Sequence, residues 1–262
     1  MDQYIPYVSI FLLILCRISA FFVVAPIFSA RNVPVMLKIG LAALISFIAF
    51  ATVGTELQIE MNAMYIMYVI REVLVGLMLG FLAYMFFTVV QIAGSLIDFQ
   101  IGFGISNVID PMSGTAAPVI GNFKFMLATL LFLALDGHHL FIKGMLESFN
   151  WIPLTNELFA KIYDGQVSTF IADSFVNVFA LAFQLAAPVL VSLFLTDLGL
   201  GLLTRVAPQF NVFVVGIPVK LLVGLIMILV LLSSMSSLFQ DVFIQMLRAM
   251  EKLMHIIAGE VQ

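Results

Sequence analysis

The sequence predicts an all-α, membrane-associated fold built of helical hairpins, and three observations predict it. Hydrophobic residues make up 63% of the chain and charged residues 10%, whereas a soluble domain is nearer half apolar and a quarter charged. Mean hydropathy is +1.18. Residues 73–97 and 174–196 carry no charge, and each run exceeds the roughly 18 residues that cross about 30 Å of hydrocarbon as helix.

The elements follow in order within one domain, residues 1–262. The first apolar segment, about 5–30, holds Arg17 and ends at "ARNVP". Lacking a basic leader, it reads as a retained membrane segment and not as a signal peptide. The second, about 35–54, stops before the acidic "TELQIE". The third, about 61–101, would measure ~60 Å as one helix, twice the hydrocarbon thickness. It must tilt, bend or leave the bilayer. Gly76, Gly80 and Gly94 offer bending points, and the Gly76-x-x-x-Gly80 spacing also allows close helix approach. A loop, 102–118, leads to the fourth segment, about 119–135. A polar interlude beginning "DGHH" precedes the fifth segment, about 167–239, which breaks near "RVAPQFN". An amphipathic helix over about 241–258 closes the series. Its face is Phe243, Met246, Leu247, Met250, Leu253, Met254 and Ile257, with Gly259 as the stop.

Several chemistries are excluded. Cys16 is the only cysteine, so the chain forms no internal disulfide and no cysteine-rich metal site. "GFGISN" lacks the third glycine and the βαβ setting of a dinucleotide fingerprint, and no GxxxxGK[ST] loop is present. His138 and His139 are adjacent, which would point them to different helix faces, with Asp136 the sole nearby co-ligand; no metal or other cofactor is expected. A net charge of −4 argues against a nucleic-acid partner. No enzyme is predicted.

Charge inside apolar runs is the remaining source of function. Arg17, Lys38, Arg71, Glu72, Asp98, Lys124, Asp197, Arg205 and Lys220 interrupt or border such runs, where charge is costly and faces partners, water or other charge. The balance of sign suits buried charges that pair across helices and subunits, Asp98 with Lys124 for example. The competing reading is an ion-coupled secondary transporter with Asp98, Glu72 and Asp197 as its relay. Asp98-Phe99-Gln100-Ile101-Gly102 is echoed by Asp197-Leu198-Gly199-Leu200-Gly201, each before a proline-bearing turn and an arm with one lysine. Two hairpins built alike would explain the echo.

The loop is unusual for its setting. Gly102 and Gly104 permit backbone conformations that other residues resist, while Asp110-Pro111 and Ser113-Gly114 are turn pairs. Yet Val108, Ile109 and Met112 are too apolar for a solvated connection. With Ser106, Asn107 and Pro118 they make a soft, small-residue segment, suited to a deformable stopper where irregular backbone is shielded by protein.

These residues, in order and spacing, resemble the FliR family of export-gate proteins. The resemblance rests on Arg17, Pro26, Pro34 and Lys38; on Glu72-x-x-x-Gly76-x-x-x-Gly80; on "AGSLIDFQIGFG"; on Pro111, Gly114 and Pro118; on Gly137-His138; and on "RVAPQFNVFVVGIPVK". It implies membership of a helical multi-subunit gate with FliP and FliQ, with FlhB and FlhA as further neighbours. It also implies unfolded flagellar proteins as cargo, and a place in the inner membrane at the flagellar basal body. Within such a gate, the resemblance makes Ser106–Pro118 the pore plug and Met112 a sealing residue.

Overall fold

The computed structural model describes residues 5–53, 63–103, 118–154, 158–209 and 211–259, which hold eight helices and no strand. They are α1 (Ile5–Val24), α2 (Val35–Val53), α3 (Ala63–Ile101), α4 (Val119–Ala134), α5 (Gly137–Trp151), α6 (Leu158–Tyr163), α7 (Gln166–Val206) and α8 (Val212–Ala258). Helices α1, α2, α3, α7 and α8 are each long and apolar enough to cross a membrane, and α4 with α5 passes the same test as a bent pair.

Three differences from the sequence-based expectation have plain causes. α3 runs unbroken through Gly76, Gly80 and Gly94, because those glycines serve close contact instead of bending. The amphipathic tail is not a separate element but the end of α8, 47 residues long; after Gly224 no glycine or proline intervenes before Gly259. Gly259 then ends the helix at φ 85. The polar interlude folds as α5 and α6.

The chain forms two compact units: residues 1–86, 135–175 and 244–262, and residues 87–134 and 176–243. In the first, α1 lies against α2, and α2 touches α5. α1 meets α3 backbone to backbone. A Cβ on Gly76 would overlap the Arg17 carbonyl oxygen, and one on Gly80 would stand 2.9 Å from that of Phe21. Ile10, Ile14, Ile18, Phe21, Leu79 and Phe141 are buried there, with the Phe21 and Phe141 rings edge to face at 5.7 Å. The tail stripe contributes Met246, Met250, Leu253, Met254 and Ile257 to burial, while Arg248, Glu251 and Lys252 stay exposed.

The core of the second unit is aromatic. Phe87 stacks on Phe243 at 5.6 Å and meets Phe125 and Phe132 edge-on at 5.4 and 5.6 Å. Edge-to-face and offset pairs of this kind add about 0.5–1.5 kcal/mol each beyond burial. α7 and α8 pack antiparallel beside it: Gly216 lies against Leu200, and Gly224 against Leu193 and Ile101.

Candidate functional site

The loop predicted as a plug hangs between α3 and α4, and the structure shows how its two ends are held. Gly104, Ser106, Asn107, Val108, Ile109, Asp110, Pro111, Met112, Ser113 and Gly114 lie outside the described residues. Gly102 and Pro118, at the two ends, lie within them. α3 ends in a left-handed cap: Gly102 takes φ 107, its N–H donates to the Phe99 carbonyl at 3.2 Å, and the Phe103 N–H donates to the Asp98 carbonyl at 3.0 Å. This double closure satisfies carbonyls that a helix end otherwise leaves bare.

Asp98 then acts a second time, through its side chain. Its two carboxylate oxygens accept the N–H groups of Ile120 and Gly121, each at 3.0 Å. Those are free donors in the first turn of α4, where negative charge is also favoured by the helix dipole. Pro118, just before the helix, has no side-chain acceptor to offer, so the cap comes from α3. The approach is close because both partners are glycine: a Cβ on Gly94 would overlap the Gly121 Cα, and one on Gly121 would meet Pro118 and the Gln91 carbonyl at 3.0 and 3.2 Å. One acid and two glycines thus fasten both ends of the loop.

This corrects the expected pairing of Asp98 with Lys124. No ion pair within 4.0 Å joins them among the described residues, because the carboxylate is occupied by backbone donors. Lys124 is buried and borders a cavity of about 20 Å³, whose other walls include Leu185, Pro188, Ile228 and Met235.

The other predicted charges separate into three groups. In the first unit, Arg17 and Glu72 are both fully buried and bonded, Nε to Oε2 at 2.6 Å. The remaining Arg17 donors reach the Ser148 carbonyl at 2.9 Å, the Ser148 hydroxyl at 3.2 Å and the Ile152 carbonyl at 2.8 Å. The two carbonyls are at the end of α5, so the guanidinium caps that helix while its Cζ lies 4.2 Å from the centre of the Phe149 ring. Arg71 approaches the other Glu72 oxygen at 3.4 Å. In the second unit, Asp197 takes Lys220 at 3.0 Å and the Gln100 amide at 3.0 Å. This joins α3, α7 and α8 at the two places where the sequence echoes itself.

Lys38 and Arg205 form the third group and, against the expectation of buried charge, are not buried; Asp197 and Lys220 are only half-buried. Lys38 is half-exposed and donates to the Ala30 carbonyl at 3.2 Å. Arg205 is exposed in the last turn of α7, where a cation suits the carbonyl end of the helix dipole. Sequence reasoning missed Gly121, Ser148 and Ile152; Ile152 acts through its main-chain carbonyl alone and Ser148 through its carbonyl as well as its hydroxyl, and no residue letter encodes a carbonyl's position.

His138 and His139 do not diverge as adjacent helical residues should. Asp136 adopts φ 56 before α5, and the two rings lie 4.2 Å apart. Ligand atoms of Asp136, His138 and His139 fall within 4.8 Å of one another. Asp136 and His139 are exposed, and His139 already lies 3.4 Å from Asp136.

Comparison with known proteins follows the same lines. The family of bacterial export proteins, family 1, matches residues 8–246. The flagellar biosynthetic protein FliR of Bacillus subtilis (strain 168) is 43% identical over 257 residues, covering 98% of this chain and 99% of that protein. Its namesake from Escherichia coli (strain K12) is 30% identical over 92% of this chain and 91% of its own. That of Pectobacterium carotovorum is 31% identical over 90% and 91%. The family match covers most of the chain, residues 8–246, and the chain belongs to the bacterial export protein family 1.

Proposed function

We propose that this chain is a non-enzymatic subunit of the flagellar type III protein export gate, in the inner membrane at the basal body. It completes a FliP/FliQ/FliR channel for unfolded export substrates, with FlhB and FlhA as further neighbours. The observation that carries this reading is the 43% identity to a FliR protein along nearly the whole of both chains. Within the channel, the Ser106–Pro118 loop is the plug, with Met112 as a sealing side chain that suits irregular gaps. The Asp98 clamp supports that reading: a stopper that yields to cargo and returns needs fixed ends.

The transporter reading loses support from the same geometry. A relay needs acids free to take up and pass on protons or ions. Asp98 is held by two N–H groups, Glu72 by two arginines, and Asp197 by Lys220 and Gln100.

The test is deletion of Ser106–Pro118 in cells, with native mass spectrometry of the extracted complex. The expected result is a particle of unchanged mass in cells that have become permeable to small solutes. Unchanged permeability with an intact particle sinks the plug. A chain that never joins a larger particle sinks the gate.

A further inference from the structure

The turn that opens α5 gathers three metal-ligating side chains, and the export reading gives none of them a role. Asp136, His138 and His139 lie together in the first compact unit. Successive helical residues point about 100° apart, so neighbouring histidines do not ordinarily share a ligand. These are placed to do so. Asp136 takes φ 56, the two rings are 4.2 Å apart, and ligand atoms of all three residues fall within 4.8 Å of one another.

The bonding capacity of the three is unspent. Asp136 precedes the helix, where an aspartate ordinarily caps it, yet its side chain makes no cap bond. The Nδ1 atom of His138 is shut off from water and has no hydrogen-bond partner, a costly state for a polar nitrogen. The Nδ1 atom of His139 stands 3.4 Å from Asp136 Oδ1, beyond the range of about 2.7–3.2 Å of an N–H···O hydrogen bond. That separation is instead the edge of a zinc tetrahedron: ligand atoms about 2.0–2.1 Å from one metal ion, at the tetrahedral angle, are about 3.3–3.4 Å apart. Two imidazoles with a carboxylate suit zinc, whereas calcium and magnesium take oxygen ligands. Three protein ligands leave a fourth position for water, as in open zinc sites. The side chains of His139 and Asp136 are 70% and 77% accessible, so an ion reaches them from solvent, and the positive end of the α5 dipole opposes it only weakly beside a carboxylate.

We propose that Asp136, His138 and His139 bind one divalent transition-metal ion, Zn2+ by preference, and that the ion fastens the first turn of α5. The inference goes beyond the export reading and does not depend on it.

The test uses the full chain in detergent at neutral pH, carrying an affinity tag free of histidine, with Zn2+ alone as the probe. Calorimetric titration is expected to give one site per chain. Loss of a group outside the ligand set already costs a metal site about 10–100-fold in affinity, so His139→Ala and Asp136→Asn are each expected to weaken binding at least about tenfold. Both side chains are exposed, and unchanged elution and helical circular dichroism check that the variants fold. His255→Ala, at the remaining histidine, which packs on Trp151, is expected to leave the affinity for Zn2+ unchanged. Thermal unfolding gives a second readout: excess Zn2+ raises the midpoint of the parent by mass action and does not move that of His139→Ala. No saturable uptake of Zn2+ by the folded parent overturns the proposal. So does binding that survives both His139→Ala and Asp136→Asn at parental strength, or that His255→Ala removes.

Discussion

Arg17 sits where no water reaches it, and its planar fork is what makes that position tenable. Its fixed fork of N–H donors makes four hydrogen bonds, to a carboxylate, two carbonyls and a hydroxyl; a lysine has neither the number nor the plane to do so. Arg17→Met therefore strands Glu72 beside Arg71 alone and opens the end of α5, at an expected cost of about 3–5 kcal/mol. Denaturant unfolding in detergent checks it, with Arg17→Lys recovering only part of the loss. Arg205→Ala, at an exposed helix end, is expected within about 0.5 kcal/mol of the parent by the same measurement. Asp98→Asn replaces one acceptor with a donor facing a backbone N–H and is expected to cost about 1–3 kcal/mol. Its signature is faster hydrogen exchange at the amides of Ile120 and Gly121. The sequence named charges inside apolar runs, of which Arg17, Arg71, Glu72, Asp98 and Lys124 are buried; what Asp98 and Arg17 bond to was not legible there. Their partners are largely main-chain groups, and those become specific only once helix ends are placed in space.

Elements follow the same logic of contact over local tendency. Gly94 lies mid-helix, where glycine costs about 1 kcal/mol relative to alanine, yet a methyl there would overlap the Gly121 Cα. Gly144 is also mid-helix, but a Cβ there meets nothing within 4 Å. Gly144→Ala is therefore expected to raise thermal stability slightly, and Gly94→Ala to lower it, because α3 and α4 must part. Opposite signs from one chemical change would confirm that these glycines answer to packing. The period-3.6 stripe from Phe243 to Ile257 identified a buried helical face correctly, because burial on one side writes itself into side-chain chemistry. That this face belongs to α8 was hidden. A helix of 47 residues changes from apolar all round to amphipathic partway along, and composition reads that change as a boundary although the hydrogen-bond ladder continues. α5 was obscured for the opposite reason: its charged residues Lys143 and Glu147 lie outside, while Phe141, Met145 and Phe149 carry the burial.

At the scale of the whole molecule, the membrane character follows from composition alone, while the assembly does not. Exposed apolar side chains cover α2, α7 and α8, and lipid tails or a neighbour's helices satisfy such surfaces equally well. The backbone-to-backbone approaches at Gly76, Gly80 and Gly94 also have a genetic consequence. Most of this chain is hydrophobic and exchangeable, so a random mutant collection should leave long stretches of α2 and α8 without scored alleles. At those three codons every missense change adds at least one carbon atom where a main chain already lies. Loss-of-function alleles should therefore recur there, independently of which amino acid the mutation introduces.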